Sequence, residues 1–168
     1  AMPTFWPTGT ICRIFAIESP THHTACCRLR RVTLHPVSVV TLPIMDMETV
    51  TPRSRLVTVG LPPHGMEFLP GQAVVVGTQG QHDRRPYSIA CSPERATETQ
   101  RLELLVAVET SGDPGPHLAS AGPGTLVDLA GPIGTFTLPE IGPDHRVLCV
   151  AGGTGIAPLR SMLDHLLR

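Results

Sequence analysis

The chain has 168 residues, 41% of them hydrophobic, enough to build the core of one ordinary domain or of one domain and the beginning of another. Its 13 basic residues are all arginine and are balanced by 14 acidic ones, with no basic tract of the kind that nucleic acid or anionic lipid rewards, so neither is an expected partner. No apolar run approaches the ~20 residues that a membrane-spanning helix needs. The five cysteines are odd in number and irregularly spaced. That pattern argues against a disulfide framework and for a reducing compartment, the cytoplasm.

Residues 1–35 mix prolines, adjacent histidines, adjacent cysteines and arginines without a sustained period, and read as a poorly structured leader. The order is wrong for a secretory signal, because Arg28, Arg30 and Arg31 follow the most apolar part instead of preceding it. His22, His23, Cys26 and Cys27 carry metal-ligating groups, but both pairs are adjacent and no second pair follows at zinc-site spacing. No metal site is expected.

From residue 38 strand signals succeed one another: SVVTLPIMDMETV, SRLVTVG, QAVVVG, PYSIAC, RLELLVAVE and TLVDLAG, separated by the turn formers LPPHG, PGQ, GTQGQHD and GDPGP. The clearest is 102–108, where Leu102, Leu104, Val106 and Val108 alternate with Glu103, Leu105 and Ala107. Six such segments without a helical pattern between them predict an all-β, six-stranded antiparallel barrel over residues 36–142, since closure removes exposed edges.

The pattern changes at residue 147. VLCVA is a short apolar run, GGTG a glycine turn, and IAPLRSMLDHLLR a helical pattern with Leu159, Met162, Leu163 and Leu166 on one stripe. Pro158 sits early in that helix, where its missing N–H costs nothing. The expected structure over 143–168 is a buried parallel strand, a turn and an amphipathic helix: the first βα unit of a truncated α/β domain. With no further strands beside it, the apolar stripe is expected to lie uncovered, giving aggregation or local disorder from about residue 147.

Two stretches could carry chemistry. In DRRPYSIACSP, Arg85 and Tyr87 lie two positions apart and leave the same face of an extended strand, while Pro86 is tolerable at a strand start or exposed edge. A guanidinium fork beside a flat amphipathic ring suits a planar ring system joined to a phosphate, such as a flavin nucleotide. A surface arginine beside a tyrosine packed on the barrel wall would look the same. In GGTGIAP the glycines allow close backbone approach, and the following helix offers free N–H groups to a pyrophosphate. It is not a P-loop, which requires a lysine, and it lacks the G-x-G-x-x-G spacing.

Taken in order, DRRPYSIACSP, GPHLA, AGPIGTFTLP and LCVAGGTGIAPLRSML closely resemble the ferredoxin-reductase type of FAD/NAD(P)-binding oxidoreductase, which includes flavin reductases and the reductase components of oxygenases. The resemblance covers residues 38–168. It implies that Arg85 pairs with the flavin phosphate and that Tyr87, preceded by Pro86, stacks on the isoalloxazine ring. Ser88 would hydrogen-bond near the ring's redox-active edge. It further implies FAD-pyrophosphate contacts from Gly115, Pro116, His117 and Leu118, with Gly115 where the family often has serine, which removes one hydroxyl donor. Gly152, Gly153, Thr154 and Gly155 would form the entrance to the pyridine-nucleotide domain, with Thr154 facing the gap between flavin and nicotinamide. Cys149 and Cys91 read as core residues.

The implied activity is that of an FAD-dependent oxidoreductase, taking hydride from NAD(P)H and passing electrons to an external acceptor, either a protein or a small molecule. None of the cysteines forms the C-x4-C-x2-C pattern of a plant-type iron–sulfur centre. The adenosine end of the nucleotide has no specified pocket in these residues. Two other readings stay open: a non-catalytic flavin-carrying electron-transfer subunit, and an empty structural barrel.

Overall fold

The computed structural model describes residues 12–17, 39–108, 118, 121–139, 142 and 146–168. Among these residues eight strands form two sheets: β1 (Cys12–Ile17), β2 (Val39–Thr51), β3 (Ser54–Gly60), β4 (Ala73–Thr78), β5 (Arg85–Ser88), β6 (Arg101–Ala107), β7 (Leu126–Ile133) and β8 (Arg146–Ala151). Among the described residues they are accompanied by α1 (Pro93–Thr99) and α2 (Ile156–Leu166), the latter preceded by a 3-10 turn at Gly153–Gly155.

The larger sheet has the order β5-β4-β7-β2-β3-β6, all neighbours antiparallel. Each of the six expected strands is present. The long strand β2 turns the corner: Val39–Pro43 pair with β7, whereas Ile44–Thr51 pair with β3, and the register shift between Ile44 and Asp46 bends the strand between its two partners. The alternation read from the sequence faces inward as expected. Val57, Val59, Val74, Val76, Leu102, Leu104, Val106, Val127 and Leu129 are all buried in one core cluster.

The expected closure is not reached: among the described residues the sheet has two edge strands, and no continuous ladder joins them. Edge strands β5 and β6 meet only where the chain leaving β5 makes an isolated bridge, Ile89 to Leu104, and where the Ala90 N–H donates to the Glu103 carbonyl at 2.7 Å. The departure follows from what comes next. Ser92 accepts a hydrogen bond from the Arg95 N–H at 3.2 Å, Pro93 occupies the first turn, and α1 begins, so the backbone cannot continue as a strand. This helix was not expected from the sequence, although SPE at residues 92–94 is a readable start signal.

Three further expectations need correction. Inside the stretch read as an unstructured leader, Cys12–Ile17 is a strand, because a short apolar segment needs only one edge to pair with and finds it in β8. That pairing is antiparallel, and β8 is not buried: Leu148 is 50% exposed and Val150 45%. An apolar run reports what a strand could bury, and among the described residues only β1 pairs with it. The helical stripe is not left uncovered either, since Leu159 and Met162 are buried and only its outer members Leu163 and Leu166 remain exposed. Met162 packs on the turn at Gly71, whose φ of +99° and lack of side chain leave room for the methionine methyl group.

Truncating Leu104, at the centre of the core and opposite the Ile89 bridge, is expected to cost about 2–5 kcal/mol. Urea unfolding of Leu104→Ala followed by circular dichroism measures the loss. A change within error of zero would mean that the core does not run through β6.

Candidate functional site

Strand β5 is the edge of the larger sheet and pairs on one side only, with Val76 opposite Arg85, Val75 opposite Pro86, Val74 opposite Tyr87 and Ala73 opposite Ser88. Pro86 is exposed there, where its missing donor breaks no ladder. Arg85 is exposed, and Tyr87 and Ser88 are half-buried. Tyr87 packs against the core cluster, and this burial, opposed by the nearby Arg85 charge, pushes its phenol up to about 12.

The two adjacent arginines are in different situations. Arg84 donates to Asp128 Oδ2 on β7 at 2.8 Å, while Thr41 Oγ1 on β2 donates to the other carboxylate oxygen at 2.8 Å. Asp128 is only 8% exposed, so this pair and its hydroxyl fix the chain just before β5 to the body of the barrel. Arg85, by contrast, has no ion pair among the described residues and is exposed, on the same face of the edge as Tyr87 and opposite the core residue Val76. The Asp128 role was missed in the sequence, where its signal is an acidic residue inside the apolar run TLVDLAG.

The second expected group lies on the other unit. Gly152 precedes the 3-10 turn of Gly153, Thr154 and Gly155, in which the Gly155 N–H donates to the Gly152 carbonyl at 3.0 Å. Gly153 has φ of +54°, a conformation that a side chain resists, and no atom lies near the position a Cβ would take on Gly152 or Gly153. The helix that follows has no side-chain cap; its Ile156 N–H is bonded to the Gly153 and Thr154 carbonyls and Pro158 carries none, so the backbone of the turn is partly engaged in its own hydrogen bonds.

Contacts along α2 tie the second unit to the segment that follows β5. Arg160 donates to the Ala90 carbonyl at 2.8 Å, and Ser161 Oγ to the Cys91 carbonyl at 2.6 Å. The Ser92 N–H donates to Asp164 Oδ2 at 3.2 Å, His165 Nδ1 lies 2.9 Å from Glu94, and Arg168 donates to Glu98 at 2.7 Å. Partners advance in the same direction along both segments, and the 3-10 turn at the start of α2 packs near β6.

Of the remaining expected site residues, Leu118 is described and its side chain belongs to the core, 2% exposed. Gly115, Pro116 and His117 lie outside the described residues. Cys91 is buried, its thiol is pushed up to about 11 chiefly by desolvation, and its sulfur accepts from the Glu103 N–H at 3.4 Å. It is a structural residue. Cys149, expected in a core, is half-exposed on β8.

Residues 41–138 match the model of the oxidoreductase FAD-binding domain. The chain belongs to that family. Among its curated relatives, methane monooxygenase component C of Methylosinus trichosporium is 39% identical over 102 residues, covering 60% of this chain and 28% of the relative. The reductase component of the naphthalene 1,2-dioxygenase system of Pseudomonas putida is 31% identical over 140 residues, covering 82% of this chain and 40% of that one. Among solved structures, the Amycolatopsis cytochrome P450 reductase GcoB superposes with a TM-score of 0.61 at 30% identity, over 85% of this chain and 43% of that protein. The chain thus spans less than half the length of these family members. Its six-stranded antiparallel sheet, with the start of a second unit behind it, is the architecture of the flavin-binding half of such reductases.

Since Tyr87 is the only tyrosine, its ionisation can be followed directly by absorbance near 295 nm. The folded chain should titrate well above the ordinary value of 10.0, toward about 12, and the urea-unfolded chain near 10.0. The phenol's pKa is raised on folding, so its contribution to stability is complete below pH 10.0 and is lost as the pH climbs toward about 12. Identical midpoints in the two states would place Tyr87 in solvent.

Proposed function

We propose that this chain is the flavin-binding part of an NAD(P)H-dependent reductase, with FAD held along β5 and a pyridine nucleotide admitted at the glycine turn. The observation that carries the reading is the division of labour between neighbouring arginines. Arg84 is neutralised by Asp128, whereas Arg85 stands beside the only tyrosine on an open strand edge without an ion partner among the described residues. A guanidinium left free next to an aromatic face is what a phosphate-bearing planar ligand requires.

In this reading Arg85 pairs with the flavin phosphate, Tyr87 stacks on the ring, and Ser88 offers its hydroxyl and backbone near the ring edge. Gly115, Pro116, His117 and the backbone at Leu118 would approach the FAD pyrophosphate. The open backbone of Gly152 and Gly153, Thr154 and the uncapped start of α2 would receive the nucleotide pyrophosphate. The bound flavin supplies hydride-accepting and single-electron chemistry. The protein supplies stacking, orientation and charge, and no acid–base dyad is called for. The names of the relatives, reductase components of monooxygenase and dioxygenase systems, support an external electron acceptor of the oxygenase or ferredoxin class. Among the described residues no helix is long and apolar enough to cross a membrane.

The test is a titration of the purified chain with FAD, following flavin fluorescence. Binding with strong quenching is expected. Arg85→Ala should weaken it by about 1.5–3 kcal/mol, as for a lost charge-assisted hydrogen bond, and Arg85→Lys should weaken it also, because the fork is gone. Tyr87→Ala should remove most of the quenching. A folded chain that leaves FAD fluorescence unchanged at tens of micromolar would refute the reading, and a larger loss in Arg84→Ala than in Arg85→Ala would move the phosphate to the other arginine.

A further inference from the structure

Glu103 sits on β6, on the face opposite the core residues Leu102 and Leu104, and is 14% exposed at its side chain. One carboxylate oxygen takes Arg95 Nε of α1 at 3.3 Å, and the other takes Arg160 of α2. Arg160 uses the same nitrogen to reach the Ala90 carbonyl, two residues beyond Ser88. Next to it Ser161, fully buried, closes on the Cys91 carbonyl. A buried hydroxyl and a guanidinium held by a carboxylate thus bind two consecutive carbonyls of the segment in which the flavin strand ends.

The geometry has a direct consequence for the glycine turn. Five residues of helix separate Arg160 from Gly155, a rise of about 8 Å, and two extended residues separate Ala90 from Ser88, about 7 Å. The 3-10 turn packs near β6, the strand that carries Glu103, and Arg160 on the Ala90 carbonyl ties the helix that follows the turn to the segment leaving β5. We propose that Glu103 and Arg160 are positioning residues for hydride transfer: the pair clamps α2 to the barrel and so holds the nucleotide turn over the reactive edge of the flavin. This rests on the flavin reading above. The clamp touches neither cofactor. It sets the distance over which a hydride, two electrons with one proton, leaves a dihydronicotinamide as the oxidised pyridinium forms and arrives on the flavin.

A clamp of this kind predicts that the adenosine half of the nucleotide is dispensable for the chemical step. Reduced nicotinamide mononucleotide, which carries the nicotinamide and one phosphate only, is therefore the probe. The FAD-loaded 168-residue chain, mixed anaerobically with it in a stopped-flow spectrometer, should lose absorbance at 450 nm with saturation kinetics. Glu103→Gln and Arg160→Met should each lower the limiting rate at least tenfold while leaving FAD affinity and the half-saturating concentration within about twofold. Arg160→Lys, which keeps a cation for Glu103, should recover part of the rate. Hydrogen exchange of α2 amides, measured without any nucleotide, should be faster in both disruptive variants than in the wild type.

Wild-type limiting rates in Glu103→Gln and Arg160→Met with FAD bound would overturn the clamp, and so would a wild-type chain that binds FAD but is not reduced by the mononucleotide. If the wild type fails to bind FAD, the flavin reading falls by itself. The exchange measurement then still decides the mechanical claim, since unchanged α2 protection in Arg160→Met would overturn that as well.

Discussion

Strand β5 has a neighbour on one side only, and most of what is distinctive in this molecule depends on that. A strand with one free edge must dispose of its unpaired groups, and Pro86 removes one donor outright. At that open edge Arg85 is exposed and Tyr87 half-buried, each directly opposite a core valine of the neighbouring strand, Val76 and Val74. The edge cannot be extended, because the next residue, Ile89, bridges to β6 and the chain turns into α1 at Pro93. Ala90 and Cys91, between them, are where the second unit takes hold.

The polar side chains divide into those already satisfied and those left over. Asp128 would be costly in a barrel wall by itself, and it is stabilised by Arg84 and Thr41 from two different segments. Glu103 plays the same part on the outer face, between two arginines that come from different helices. Each carboxylate ties together pieces far apart in sequence, and each engages an arginine that would otherwise compete for anions. Among the described residues Arg85 has no such partner.

The strands were legible because alternation in RLELLVAVE and SRLVTVG reports directly on which side chains meet the core, and those positions are the buried ones. Strand β5 drew notice for a different reason: a lone tyrosine between Pro86 and Ser88 is chemically conspicuous. What the sequence hid was pairing. VLCVA reads as buried because hydrophobicity measures a capacity, and whether neighbouring strands cover it is not written in the run itself. The helix α1 was passed over because seven residues with a single buried alanine show no amphipathic period, although its cap was visible. Neither Glu103 nor Asp128 declares its partner, since an arginine 57 or 44 residues away becomes a neighbour only through the fold.

The seating of Met162 on Gly71 bears on how such a protein can be taken apart. The junction between barrel and nucleotide unit is usually sought in the loop before β8, where strand signals stop. Here the side chains that follow that loop complete the barrel's own surface: Leu159 and Met162 are as buried as any core valine, and Ser161 satisfies a barrel carbonyl. A fragment ending at residue 142 would bare an apolar hollow around Gly71 and leave the Ala90 and Cys91 carbonyls without their side-chain donors. For dissection, chimera building or split-protein reassembly, the cooperative unit therefore includes α2, and the useful cut lies after that helix.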